Sequence, residues 1–200
     1  MSLPIDFYFD FSSPYGYLGA ELIGDISSKH KRSVVWRPYL MGAVFKKLGS
    51  KPLVNVPLKG TYARRDIVRT AKYYDIPFSI PQSFPVNSVS ACRAYYWIYD
   101  FDKEKAQRFA LRIMRNYFCK NYDLSVLDNV LIAAEEEGLD KNEVEAAVNS
   151  QLIKDRLRSE VEAIMKKGIF GSPIFVVDGE VFWGSDRLDQ LDKWLGGGGW

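Results

Sequence analysis

The sequence predicts an α/β protein. A β-α-β unit opens the chain, a β-β-α unit closes it, and a long run of helices separates the two. Three observations carry this prediction. Apolar alternation at the N-terminus changes to a four-residue period at Pro14. The middle of the chain, from about Ser90 to Lys167, is helical in pattern throughout. Near the C-terminus, two short apolar runs flank Asp178-Gly179, a strong hairpin signal.

Each element has its own justification. "PIDFYFDF" (4–11) sets Ile5, Phe7, Phe9 and Phe11 against Asp6, Tyr8 and Asp10 and reads as a strand. Leu18, Leu22 and Ile26 then recur at four, with Tyr15 on the same side, which predicts a helix from Pro14 to about residue 29. "SVVWRPYL" (33–40) is a second strand, parallel to the first through a right-handed crossover. Residues 41–58 are expected to be irregular, with Gly49, Pro52 and Pro57 as breakers. A helix over 61–74 and a Pro-rich loop over 76–87 follow.

The helical run contains Ser90 to about Tyr99, then Lys103 to Lys120 with Phe109, Ile113 and Tyr117 at spacing four. Ser125 to Asp128 opens the next helix in capping-box fashion, and Gly138 ends it. Asp140 with Glu143 opens another, and the last spans 151–167. The strands 172–177 and 180–184 form the hairpin, and 185–195 is a closing helix. The two outer parts together predict a thioredoxin-like fold: residues 1–80 and 168–200, with 81–167 as an all-helical insertion domain. The Gly196-to-Gly199 run is expected to be mobile, and Met1-Ser2-Leu3 reads as a cloning remnant.

Composition narrows the function classes. An apolar fraction of 47% and an aromatic fraction of 14% support a full core and argue against disorder. A net charge of +2 is too small for a dedicated nucleic-acid binder. Lys29-His30-Lys31-Arg32 and Arg64-Arg65 read as solvated faces. Cys92 and Cys119 form no CxxC and read as buried, inert thiols. No secretory leader or membrane-length apolar run is visible, so the expected location is cytoplasmic.

The chemistry must be found with one histidine. His30 lies in a basic run that reads as exposed, so a Ser-His-Asp triad is not expected, nor is a metal site. Three strand–helix or loop–strand junctions stand out instead. Ser13-Pro14-Tyr15-Gly16 is a good helix start, with serine as N-cap and proline at N1. The same geometry lets a hydroxyl and a helix N-terminus hold an anion such as a thiolate. Gly171-Ser172-Pro173 either simply opens a strand or carries a cis bond, with the Ser172 backbone then available to an extended peptide. Gly184-Ser185-Asp186-Arg187 is another cap, by Ser185 or Asp186, and also suits a ligand with an α-amino-acid end.

These junctions, in this order, resemble those of the kappa-class glutathione transferases and the bacterial 2-hydroxychromene-2-carboxylate isomerases, of the disulfide-oxidoreductase A superfamily. "DFYFDFSSPYGYLGA", "GSKPLVNVPLKG" (49–60), "FGSPIFVV" and "FWGSDRLDQL" carry the resemblance, which covers nearly the whole chain. It implies glutathione as cofactor and Ser13 as the residue that hydrogen-bonds its sulfur. It further implies that the Ser172 backbone pairs with the cysteinyl unit. Ser185 and Asp186 would bind the γ-glutamyl end, and Lys59 the glycyl carboxylate. Pro173, Trp183 and Gly184 belong to the same implied surface, as does Ser50, where the family often has asparagine. Arg187 pairs only locally on this reading.

Against the Cys-x-x-Cys turn of related oxidoreductases, Ser13 takes the attacking cysteine's place and Gly16 its partner's, so disulfide exchange is disfavoured. The resemblance implies an isomerase acting on a small aromatic chromene carboxylate, with a transferase or peroxidase, or a non-catalytic thiol-binding module, as alternatives. Lys46, Lys47 and Arg64 are equal candidates for the substrate carboxylate. Tyr73, Tyr74 and Phe78 are candidate pocket aromatics, and Asn87 is a candidate polar contact. Relatives suggest a homodimer.

Overall fold

The computed structural model describes residues 3–200; Met1 and Ser2, most of the expected cloning remnant, lie outside the described residues. Strand β1 (Ile5–Phe9), helix α1 (Pro14–His30) and strand β2 (Val34–Pro38) form the opening unit. Strands β3 (Ile174–Val177) and β4 (Glu180–Trp183) form the closing hairpin. All four strands join one sheet in the order β2-β1-β3-β4. β1 runs parallel to β2 and antiparallel to β3, with Phe7 opposite both Trp36 and Phe175. This is the thioredoxin-like α/β fold that the element order predicts.

The aromatic side of β1 builds the core. Phe7 stacks on Phe9 and Phe175 at centroid distances of 4.7 and 5.0 Å, and Trp36 meets both β1 rings edge-on. Each ring buried this way contributes about 1.5–3 kcal/mol. The other side of β1 is buried as well. Tyr8 is only 1% exposed, and that burial, with the Asp6 carboxylate beside it, pushes its phenol up to about 12.

Between the two units run α2 (Met41–Leu48), a 3-10 turn (Leu53–Asn55), α3 (Lys59–Tyr73), α4 (Val89–Tyr99), α5 (Lys103–Lys120), α6 (Leu127–Glu135), α7 (Lys141–Asn149) and α8 (Gln151–Lys166). Helices α4 and α5 fasten onto the outer edge of β2. Gln107 donates to the Val34 carbonyl, Tyr95 to Trp36 and Tyr96 to Pro38, at 2.7–3.1 Å. These bonds occupy strand acceptors that would otherwise form an open edge.

Four expectations need correction. Residues 41–58 are not irregular throughout, because α2 and the 3-10 turn occupy much of them. The start of α2 carries no local signal: its N-cap, Leu40, makes no side-chain cap, and the Met41 N–H bonds Asp10 instead. Ser125 does not cap α6. Its N–H and hydroxyl both turn back to Asp123, and the helix begins after Val126. The segment 185–187 is a 3-10 turn rather than α-helix. The closing α9 (Leu188–Gly197) then continues into the glycine run, and Gly199 lies against the Trp194 ring.

Candidate functional site

The N-terminus of α1, the start of β3 and the turn after β4 meet at one end of the sheet. Ser13 is the N-cap of α1, with extended backbone, and its Oγ accepts from the Gly16 N–H at 3.0 Å. The same hydroxyl donates to the Ser172 carbonyl at 3.0 Å. The capping and ligand-holding readings of Ser13 therefore share one atom, and that atom is already partnered. Gly16 is needed here for space, since a Cβ would stand 2.8 Å from Ser172 Oγ.

Asp10 holds this junction from below. Its carboxylate accepts from the Ser12 N–H (2.8 Å), the Ser88 hydroxyl (2.9 Å) and the Met41 N–H (2.8 Å). Its own N–H donates to Ser172 Oγ at 2.9 Å, and its carbonyl accepts from the Ser13 N–H. Burial pushes the Asp10 carboxyl pKa up, while the three donors pull it back. Ser12, beside it, accepts from the Val86 N–H at 3.1 Å.

The Ser172–Pro173 bond is cis. The Pro173 carbonyl accepts from the Gly184 N–H at 3.0 Å, which ties the third junction to the second. Gly184 has φ 113, a left-handed conformation that favours glycine. Ser185 follows and is 1% exposed, yet its hydroxyl has no partner among the described residues. Asp186 faces solvent and pairs locally with Arg187 at 3.4 Å, as expected. Trp183 is exposed at the rim. Its indole covers the Gly171 backbone and meets Phe170 edge-on at 5.0 Å.

Ser13, Ser172, Pro173, Gly184 and Ser185 are thus brought together. Ser50 and Lys59 are not joined to them by any hydrogen bond or ion pair among the described residues. Ser50 closes α2 through a bond from its N–H to Phe45, and Lys59 is exposed at the start of α3. Lys46 and Lys47 lie in the last turn of α2. Arg64 sits over the Phe84 ring at 5.8 Å, in the loop that Val86 ties to Ser12. Phe78 stacks on Phe118, Tyr73 is exposed, and Asn87 accepts from the Val89 N–H at the start of α4.

Two further expectations are overturned. His30 is not exposed and unheld. Its side chain is 13% accessible, and Nε2 lies 2.6 Å from Asp192, a surface carboxylate also held by Lys29. It stands at the opposite end of α1 from Ser13, so it offers that serine no base. Cys119 is exposed rather than buried and donates to the Pro77 carbonyl. Among the described residues no cluster of His, Cys, Asp or Glu is arranged to hold a metal ion, and no helix is long and apolar enough to cross a membrane.

Sequence reasoning missed Asp10, which the alternation assigns to a polar face. Its position at the end of an apolar strand, just ahead of the Ser-Ser-Pro turn, is the signal that marks it. It also missed the bond from the Tyr15 hydroxyl to Asp66 at 2.6 Å, which lashes α3 to the first turn of α1. No local pattern announces a pair 51 residues apart.

Comparison with known proteins agrees with this fold. The chain is 27% identical to glutathione S-transferase kappa 1 of Rattus norvegicus, covering 96% of this chain and 92% of that protein. It is 28% identical to a 2-hydroxychromene-2-carboxylate isomerase of Sphingobium xenophagum, covering 98% and 99%. Among solved structures, a 2-hydroxychromene-2-carboxylate isomerase superposes with a TM-score of 0.88 at 22% identity, covering 97% of this chain and 95% of the other. The cytosolic disulfide reductase DsbM of Pseudomonas aeruginosa, solved with GSH, superposes at 0.67 with 15% identity, covering 97% and 96%. The DSBA-like thioredoxin domain matches residues 4–196, and the chain belongs to that family.

Proposed function

We propose that this protein is a glutathione-dependent isomerase that converts 2-hydroxychromene-2-carboxylate to trans-o-hydroxybenzylidenepyruvate in the breakdown of aromatic compounds. The observation that carries this reading is the Ser13 turn. It has a hydroxyl at a helix N-terminus, no cysteine in the turn, and no histidine to deprotonate the serine. Such a turn suits a serine that donates to a thiolate brought from elsewhere.

The surrounding residues fit glutathione. Ser185 offers a buried hydroxyl with no partner among the described residues, which an incoming carboxylate would satisfy. Asp186, exposed beside it, suits an ammonium group. The Ser13–Ser172 bond supports an exchange: the Ser13 hydroxyl turns to the sulfur, and the freed Ser172 carbonyl takes the cysteinyl N–H. Pro173, Trp183 and Gly184 shape the groove between them. Lys59 and Ser50 would approach the glycyl end. When bound, glutathione supplies a thiolate nucleophile that adds reversibly to the substrate. Arg64, held against Phe84, is the cation we assign to the substrate carboxylate. In this reading the catalytic unit is residues 1–80 with 168–200, residues 81–167 wall the pocket, and the enzyme works as a cytoplasmic homodimer.

The test is direct. The protein is mixed with 2-hydroxychromene-2-carboxylate and catalytic glutathione, and the spectrum is followed. Turnover without glutathione consumption is expected. A second reading, a kappa-type transferase, is favoured by the rat relative's similar identity and coverage. It would show no isomerisation and instead consume glutathione stoichiometrically with a general electrophile.

A further inference from the structure

Helices α3 and α5 are both strongly basic, but they dispose of their charge differently. On α5, Arg108, Arg112 and Arg115 meet Glu137, Glu136 and Glu21. On α3, Lys59, Arg64, Arg65, Arg69 and Lys72 share one acid, Asp66. Only Arg69 pairs with it, and Asp66 is further engaged by the Tyr15 and Tyr62 hydroxyls. Among the described residues the other four cations form no ion pair. The helix therefore carries +4 in a chain whose net charge is +2.

This charge stands next to the Ser13 turn. The Tyr15–Asp66 bond fixes α3 against the first turn of α1. Arg65 adjoins Asp66, and Lys72 lies about 9 Å further along the axis. Arg65 is within about one Debye length of that contact at physiological salt, and Lys72 between about one and two. Neither is needed for packing, because α3 buries Gly60, Ala63, Ile67 and Ala71 on its other side.

We propose that α3 is an electrostatic guide that draws anionic reactants to the Ser13 turn. The inference rests on the proposed function, since both reactants named there are anions: glutathione has two carboxylates against one ammonium, and the chromene carries a carboxylate. Fixed cations beside a cleft raise the local concentration and on-rate of such ions by tenfold or more at low salt, and salt removes the effect. The cations outside the contact surface then set kcat/KM without touching kcat.

The test reads the local potential without relying on glutathione. In a Ser13→Cys/Cys119→Ser background the accessible thiol stands at the turn, Cys92 being fully buried. Its alkylation rates by anionic iodoacetate and neutral iodoacetamide are compared; the ratio cancels the thiolate fraction. The ratio is expected to fall about tenfold in Arg65→Glu/Lys72→Glu, to fall less in Arg65→Gln/Lys72→Gln, and to converge for all forms in high salt. A ratio indifferent to these substitutions overturns the guide. In the otherwise wild-type enzyme the charge-reversed pair should lower kcat/KM for glutathione and leave kcat unchanged; a fall in kcat instead also overturns it. A charge-dependent ratio in a protein that neither binds glutathione nor isomerises refutes the proposed function and leaves the guide standing.

Discussion

Ser13 and Ser172 hold one another, hydroxyl to carbonyl, at 3.0 Å across 159 residues of chain. Ser13→Ala removes this bond and the cap on Gly16 together. Stability is expected to drop by about 1 kcal/mol, measured by urea unfolding. The pKa of the bound glutathione thiol, followed by ultraviolet absorbance, should rise by about 1–2 pH units, as expected for loss of a hydrogen bond to a charged group. An unchanged thiol pKa removes Ser13 from the chemistry and leaves it a cap.

Ser185→Ala should separate binding from folding in the opposite sense. The hydroxyl has no partner among the described residues, so its loss should leave the melting temperature level or slightly higher. Glutathione affinity, by titration calorimetry, should weaken about tenfold. A clear loss of stability with affinity retained would mean that the hydroxyl serves the fold.

Asp10→Ala strands two N–H groups and one hydroxyl in the interior. A cost of at least about 2 kcal/mol is expected in denaturant unfolding, because a single stranded buried donor costs about 1–3 kcal/mol. A variant as stable as the parent would show that water satisfies these donors equally well.

Alkaline pH should unfold the protein through its buried tyrosines. Burial pushes the Tyr8 phenol up to about 12, and it raises Tyr15, Tyr17, Tyr39 and Tyr117 still more. Each of these phenols holds its proton more tightly in the folded state. Their contribution is therefore complete below pH about 10 and is lost as pH rises through the folded values. The tyrosinate absorbance of this set should appear together with loss of near-ultraviolet circular dichroism; tyrosinate rising gradually, with the dichroism intact, would contradict it.

The sequence announced what local chemistry controls. Apolar periods located the strands and the helices, and the Ser-Pro, Ser-Pro and Ser-Asp junctions lay where three elements meet at one end of the sheet. Tertiary hydrogen bonds were not legible. The N-terminus of α2 is satisfied by Asp10 from another element, so no capping residue marks it. Asp10 itself looked solvated because alternation assumes one wet face, whereas β1 is buried on both. His30 looked exposed because its neighbours in sequence are charged; Asp192, which holds it, arrives from the far end of the chain.

The ribosome makes Ser13 early and Ser172 late. The Asp10 N–H meets Ser172 Oγ across 162 residues, and β1 lies between β2 and β3 in the sheet. During synthesis β1 can pair only with β2, while most of the chain, including all the helices of the insertion, is still to come. The final hairpin then slots in beside β1 and brings Ser172 and Ser185 to a turn already waiting. A nascent chain that stops short of β3 has the Ser13 turn and a half-paired strand, but lacks the hairpin and the Ser185 turn that complete the junction.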